Sequence, residues 1–241
     1  MVPGRAEERI NKIVQSVLWI YLAAAFALVF SFFHYRSLLR KWDDFRAYLA
    51  YFAIVFCLFL VIPCLIVFLF SPDPALFLKG AGLSLGNWKR GLLVAGVGAP
   101  VAFLSGFIGS RDAELSRFYP FSKTACRSPK TFIAFEAAYL LLYYVAWEFL
   151  YRGILFFPLI PAVGLVPALS IQTIISTLHH CGHPLSEIFA ALAAGFIFGL
   201  VAYYTGSFVY TIFLHALTGI STDLFIYRGA YRPAYSDKRA V

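Results

Sequence analysis

The sequence predicts an all-α, polytopic bundle of about seven (six to eight) membrane-spanning helices, on three observations. Of 241 residues, 61% are hydrophobic and 13% charged, with a mean hydropathy of +0.78. That is about half the charged share of a water-soluble domain. The apolar residues come in long continuous runs near the ~20 residues that cross a bilayer as a helix. None alternates over ~10 residues as a barrel strand does, and backbone groups in lipid have only those two ways of pairing internally. The same composition excludes disorder, a coiled coil and a disulfide-stapled secreted module.

Each element follows from the chain in order. Residues 1–16 are polar and mixed in charge, and 17–33 form the first apolar run. Ala23-Ala24-Ala25 falls in the middle of that run, which argues against a cleaved signal peptide. A basic loop at 34–46 leads to a run over 47–70, interrupted by Pro63. The connector 71–90 holds Pro72, Pro74 and a turn-like Leu85-Gly86-Asn87. A third span covers 91–108, softened by glycines and Pro100, and 111–130 is the most polar stretch. A long helix is expected over 131–157, ended by Pro158 and Pro161. Spans follow at 166–180, 185–204 and 207–227, then a basic tail. The chain divides on this reading into N-terminal helices and loops (1–130), a core (131–227) and the tail (228–241).

The net charge of +8 is scattered between the apolar runs, so it marks lipid headgroups and topology and not nucleic acid. With seven spans, residues 34–46, 111–130 and the tail share one face and carry thirteen Lys and Arg, against six opposite. The positive-inside rule places that face in the cytoplasm and the N-terminus outside. Cys57, Cys64, Cys126 and Cys181 form no CxxC and are expected as free thiols.

Ionisable residues enter the apolar runs only in the second half: Glu136, Glu148, Arg152, His179, His180 and His215, with Glu187 and Asp223 near helix ends. Each carboxylate or guanidinium at mid-bilayer costs about 2.5–3.5 kcal/mol on insertion scales, so they must pair or line a hydrated cavity. A polar seam gluing helices together could be built more cheaply from single Ser, Thr or Asn residues. In Trp147-Glu148-Phe149-Leu150-Tyr151-Arg152-Gly153, Glu148 and Arg152 are one turn apart and meet on one face. The pair could simply neutralise itself, or the oriented carboxylate could serve as a base for water. His179, His183 and Glu187 have the i, i+4, i+8 spacing of a metal stripe, but Gly182 and Pro184 break helical continuity there. His215, Thr218, Thr222 and Asp223 share a helical face, with Gly219 leaving a gap. Ala191, Gly195 and Gly199 form a small-residue stripe for close helix packing.

The order of these clusters resembles the CAAX prenyl endopeptidase and bacteriocin-processing (CPBP, or Abi) family of intramembrane proteases. Its pattern is Glu-Glu-x-x-x-Arg, then Phe-x-x-x-His, then His-x-x-x-Asn or Asp, and the similarity covers residues 118–224. Trp147 stands at the first Glu and leaves Glu148 and Arg152. Ile175 or Ser176 stands at the Phe, as His179 or His180 is aligned, and Gly219 stands at the Asn or Asp. The chain is more similar to a branch with Trp-Glu-x-x-x-Arg-Gly, His-x-Gly-Lys-Pro-x-x-Glu and a His with an acid eight residues later. Those are Trp147 to Gly153, His180 to Glu187 with His183 in place of Lys, and His215 with Asp223. This alignment favours His180 over His179.

The resemblance implies a glutamic-type intramembrane endopeptidase acting on a membrane-anchored protein or peptide. Glu148 would activate a water and Arg152 orient the carboxylate. His180 and His215 would polarise the scissile carbonyl, and Asp223 would fix a His tautomer or place water. His179 and Trp147 stand as further site candidates. No cofactor is expected; a divalent metal such as zinc, if bound, would be held by the His residues and Glu148. The expected setting is a bacterial inner membrane, with lipid and substrate as the partners. In the family the first Glu holds the base role, so Trp147 leaves a second reading: a non-catalytic peptide-binding immunity or chaperone factor. A small transporter would instead show two related halves, which the sequence lacks.

Overall fold

Five of the described helices start where the sequence offers a side-chain cap. The computed structural model describes residues 3–32 and 40–230, with side chains over 15–29 and 40–230. The loop residues 33–39 and the basic tail from 231 lie outside the described residues. Nine helices are described: α1 (Pro3–Phe32), α2 (Asp44–Phe70), α3 (Pro74–Gly80), α4 (Trp88–Gly109), α5 (Ala113–Phe118), α6 (Pro129–Val163), α7 (Leu165–Leu178), α8 (Leu185–Thr205) and α9 (Val209–Ala230). Asp43, Asp73, Asn87, Asp112 and Ser128 accept hydrogen bonds from the first-turn amides of α2, α3, α4, α5 and α6. Each satisfies a donor the helix cannot and contributes about 1 kcal/mol.

Five helices, α2, α4, α6, α8 and α9, are long and apolar enough to cross a membrane. Two further apolar segments, Gln15–Val29 and α7, are shorter. They stand at the seven positions of the expected spans. Two details differ from expectation, both at prolines. Pro63 does not interrupt α2, and α6 runs through Pro158 and Pro161 to Val163. In each case the turns just before are widened to i→i+5 bonding, at Cys57–Val61 and Phe149–Leu155. A widened turn relaxes the contact between a proline ring and the preceding carbonyls that would otherwise break the helix. The chain leaves α6 at Gly164, whose φ of 87° suits glycine.

Close packing puts α9 at the centre of the polar half. Glycines on α4 admit it: Gly91 faces the Tyr210 ring and Gly106 faces Ser221, and a Cβ at either would overlap them. The connector before α4 docks on the turn between α8 and α9. Asn87 N donates to Thr205 O at 2.7 Å, Tyr210 Oη donates to Leu85 O at 2.9 Å, and Ser207 Oγ donates to Ser84 O. The small-residue stripe acts as expected, with Gly195 and Gly199 of α8 against Thr173, Leu169 and Gln172 of α7. Gln172 Nε2 seals that contact by donating to Gly195 O at 2.9 Å. Aromatic rings fill the remaining core between α2 and α6, including Phe52 on Tyr139 with ring centroids 4.7 Å apart.

Candidate active site

Two widened turns, Tyr139–Tyr144 and Phe149–Leu155, flank Val145–Glu148 within α6. Each adds a residue to a turn and so rotates the faces that follow. The outcome is that Trp147 faces the end of α7 while Glu148 faces α9. Trp147 lies against three histidine rings, at 4.6 Å from His179, 5.1 Å from His180 and 6.2 Å from His215 between centroids.

Glu148 is fully buried, with 0% exposure. Its Oε1 accepts from His215 Nδ1 at 2.7 Å and its Oε2 lies 3.4 Å from Arg152 Nε. The ion pair expected at i, i+4 is therefore present. A carboxylate can only accept, so His215 Nδ1 carries a proton, and in the neutral imidazole Nε2 is the acceptor. His180 repeats the arrangement: its Nδ1 faces the Ser176 carbonyl at 2.9 Å, again leaving Nε2 as the acceptor.

Beside Trp147 opens a cavity of about 210 Å³, lined among others by Tyr144, His180, His215, Thr218, Thr222 and Asp223. The face predicted for α9 is thus the cavity face. His180 lies on this wall and His179 does not: His179 is buried, bonded through Nδ1 to the Tyr151 hydroxyl at 3.0 Å, and packed edge-on against Phe59. Glu148, expected to meet water directly, has no part of the cavity wall and sits behind His215. Of the two roles expected of Asp223, the structure does not give it that of fixing a His tautomer. Asp223 lines the cavity but holds neither histidine, because Glu148 and Ser176 occupy both Nδ1 atoms and Asp223 stands two turns, about 12 Å, along α9 from His215. It stands beside Glu136, which is also buried, and neither carboxyl group has a hydrogen-bond partner among the described residues.

The break expected at Gly182 and Pro184 is present, and it bends the His179, His183, Glu187 spacing apart. Helix α7 stops at Leu178, Gly182 turns with φ 96°, and α8 begins at Leu185. His183 Nδ1 and the Tyr119 hydroxyl instead both reach Glu187 Oε1, at 2.9 and 2.6 Å. Among the described residues no three His, Cys, Asp or Glu side chains are grouped to hold a metal ion. Tyr119 and Tyr144 are site residues that sequence reasoning missed. A tyrosine is uncharged, in a polar loop as in an apolar run, so nothing in the pattern singled them out.

The Tyr119–Glu187 contact brings the polar loop 111–130 to the α7–α8 turn, so the cavity reaches the membrane face that carries that loop. The thiols make this testable. Cys181 in that turn is exposed, whereas Cys126 is buried and its thiol is pushed up to about 12 by burial. A membrane-impermeant maleimide at pH 7.5 is expected to label Cys181 from the cytoplasmic side and to reach Cys126 only after unfolding. Labelling of Cys181 from the opposite side would reverse the topology.

Residues 129–221 match the family model described as type II CAAX prenyl endopeptidase, Rce1-like. The match begins at the start of α6, contains Glu148, Arg152, His180 and His215, and stops two residues before Asp223. No curated protein and no solved structure matches the chain.

Proposed function

From the premise that residues 129–221 are a domain of the type II CAAX prenyl endopeptidase, Rce1-like family, carried in a multi-pass membrane protein, we propose an intramembrane endopeptidase in which His215 is the water-activating base. One observation carries the assignment: Glu148 and Ser176 hold the Nδ1 atoms of His215 and His180, so two Nε2 lone pairs are left on residues of one cavity wall. A water between them donates to both and presents its own lone pair to a scissile carbonyl. As the water oxygen bonds to the carbonyl carbon, its proton passes to His215 Nε2. The buried Glu148 carboxylate stabilises the imidazolium so formed, with Arg152 holding that carboxylate in place. The tetrahedral intermediate collapses as His215 returns the proton to the leaving amine, and the peptide bond breaks. Exclusion of bulk water by the wall of Trp147, Tyr144 and Phe198 strengthens each of these charge interactions.

The substrate is a membrane-anchored protein or peptide whose polar chain comes from the loop face while its anchor stays in lipid. No cofactor enters the mechanism. The site stands in the cytoplasmic leaflet of a bacterial inner membrane if the basic loops face inward.

The test compares protein termini in membranes expressing wild type or Glu148→Gln at matched folded levels. New termini seen only with wild type are expected, and they identify the substrate and the cut together. Identical termini, with native partners present, would replace proteolysis by peptide binding, with Trp147 marking the loss of the family's first Glu.

A further inference from the structure

We infer that Tyr144 is a catalytic residue of the proposed endopeptidase, its phenol hydroxyl donating to the oxyanion that forms on the scissile carbonyl. The inference rests on the proteolytic reading of the same cavity.

That reading leaves a shortage of donors. Of the three cavity histidines, His215 and His180 spend their Nδ1 protons elsewhere, so in the attacking state they offer acceptors only, and His183 holds its Nδ1 against Glu187. The Thr218 and Thr222 hydroxyls return to the backbone, bonding Leu214 O at 3.0 Å and Thr218 O at 2.9 Å. The Tyr119 hydroxyl is committed to Glu187. A carbonyl oxygen gaining charge here would meet no fixed partner from these groups, and an uncompensated oxyanion in a dry site is prohibitive.

Tyr144 answers the shortage by position. It lines the cavity, it is 2% exposed, and its ring packs against His215 with centroids 4.8 Å apart. Its hydroxyl lies against Gly219, one helical turn beyond His215, where any Cβ would overlap the phenol oxygen. The glycine gap on the predicted face of α9 is therefore filled, across the helix interface, by a hydroxyl from α6. The Tyr139 and Tyr144 rings pack together with centroids 4.4 Å apart, which fixes the Tyr144 ring against α9. Base and donor then sit in contact, as attack on a carbonyl requires, with the water on one side and the oxygen on the other.

The experiment uses the full-length protein and a peptide spanning the cut site found from the termini, together with its phosphinic analogue, which carries the tetrahedral geometry. Tyr144→Phe keeps the ring stacking and removes one oxygen. It is expected to slow cleavage by about 10²-fold or more, the usual loss of one oxyanion donor. Affinity for the phosphinic analogue should fall by a similar factor while affinity for the uncleaved peptide stays within about twofold. Gly219→Ala, which pushes the hydroxyl aside without deleting it, should show the same loss, and the double variant should be no worse than either. Wild-type cleavage by a folded Tyr144→Phe, with His215→Ala inactive, would overturn the role of Tyr144 and leave proteolysis standing. Equal loss of affinity for peptide and analogue would make Tyr144 a binding wall and overturn it as well. No cleavage by wild type would remove both readings.

Discussion

Arg152→Met is expected to destabilise the protein by about 3–5 kcal/mol, the cost of leaving one partner of a buried ion pair without the other. Arg152 is 3% exposed and Glu148 0%, so no water reaches the abandoned carboxylate from the Arg152 side. Replacing both partners tests the cause. Glu148→Leu/Arg152→Met should recover most of the lost stability, because well-packed apolar groups remove the charge along with its counter-charge. Equilibrium unfolding in mixed micelles measures the cycle. A single variant as stable as wild type would mean that the pair is hydrated and contributes little. The double variant should also be inactive, which separates the holding role of the pair from its chemical role.

The largest expected effect on turnover belongs to His215 and His180. Alanine at His215 removes the base and should lower the cleavage rate by about 10²–10⁴-fold, the range for a positioned proton-transfer group. Alanine at His180 removes the second acceptor for water and should cost a smaller but clear factor. His179→Phe is the control. Its ring is buried behind Trp147 and bonded to Tyr151, so the change should cost about 1–2 kcal/mol of stability with little effect on rate. The rate of appearance of the wild-type-dependent termini reads all three variants. A reversed order, with His179 essential and His180 dispensable, would move the active face to the other side of Trp147.

That ordering of the two histidines shows where helical periodicity stops, although the motif resemblance favours His180. Adjacent residues on a helix end point about 100° apart, so one of His179 and His180 had to face the polar seam and the other the core. Which one does so depends on where α7 ends against Trp147, a tertiary fact. Glu148 is similar. Its pairing with Arg152 was legible because i, i+4 contact is local to one helix. Its burial behind His215 was not, because it depends on the rotation of α6 by two widened turns that no residue pattern announced. Asp223 went the same way: its presence on the cavity face followed from periodicity, but the buried Glu136 beside it comes from another helix.

Hydropathy and run length were enough for the helical bundle, the seven apolar segments and the half of the chain that holds the polar residues. These follow from the cost of exposing backbone and charge to lipid, which acts on each segment separately. Capping residues placed the starts of five helices for the same local reason. The prolines misled because helix breaking was judged residue by residue, while widened turns just upstream let α2 and α6 continue through them. The site itself was decided by packing between helices. Glycines at 91, 106, 195, 199 and 219 let α4, α7 and α6 approach α8 and α9 closely enough for side chains far apart in sequence to share one small cavity. Contacts of that kind depend on the shapes of two surfaces at once, and one sequence read segment by segment carries only one surface at a time.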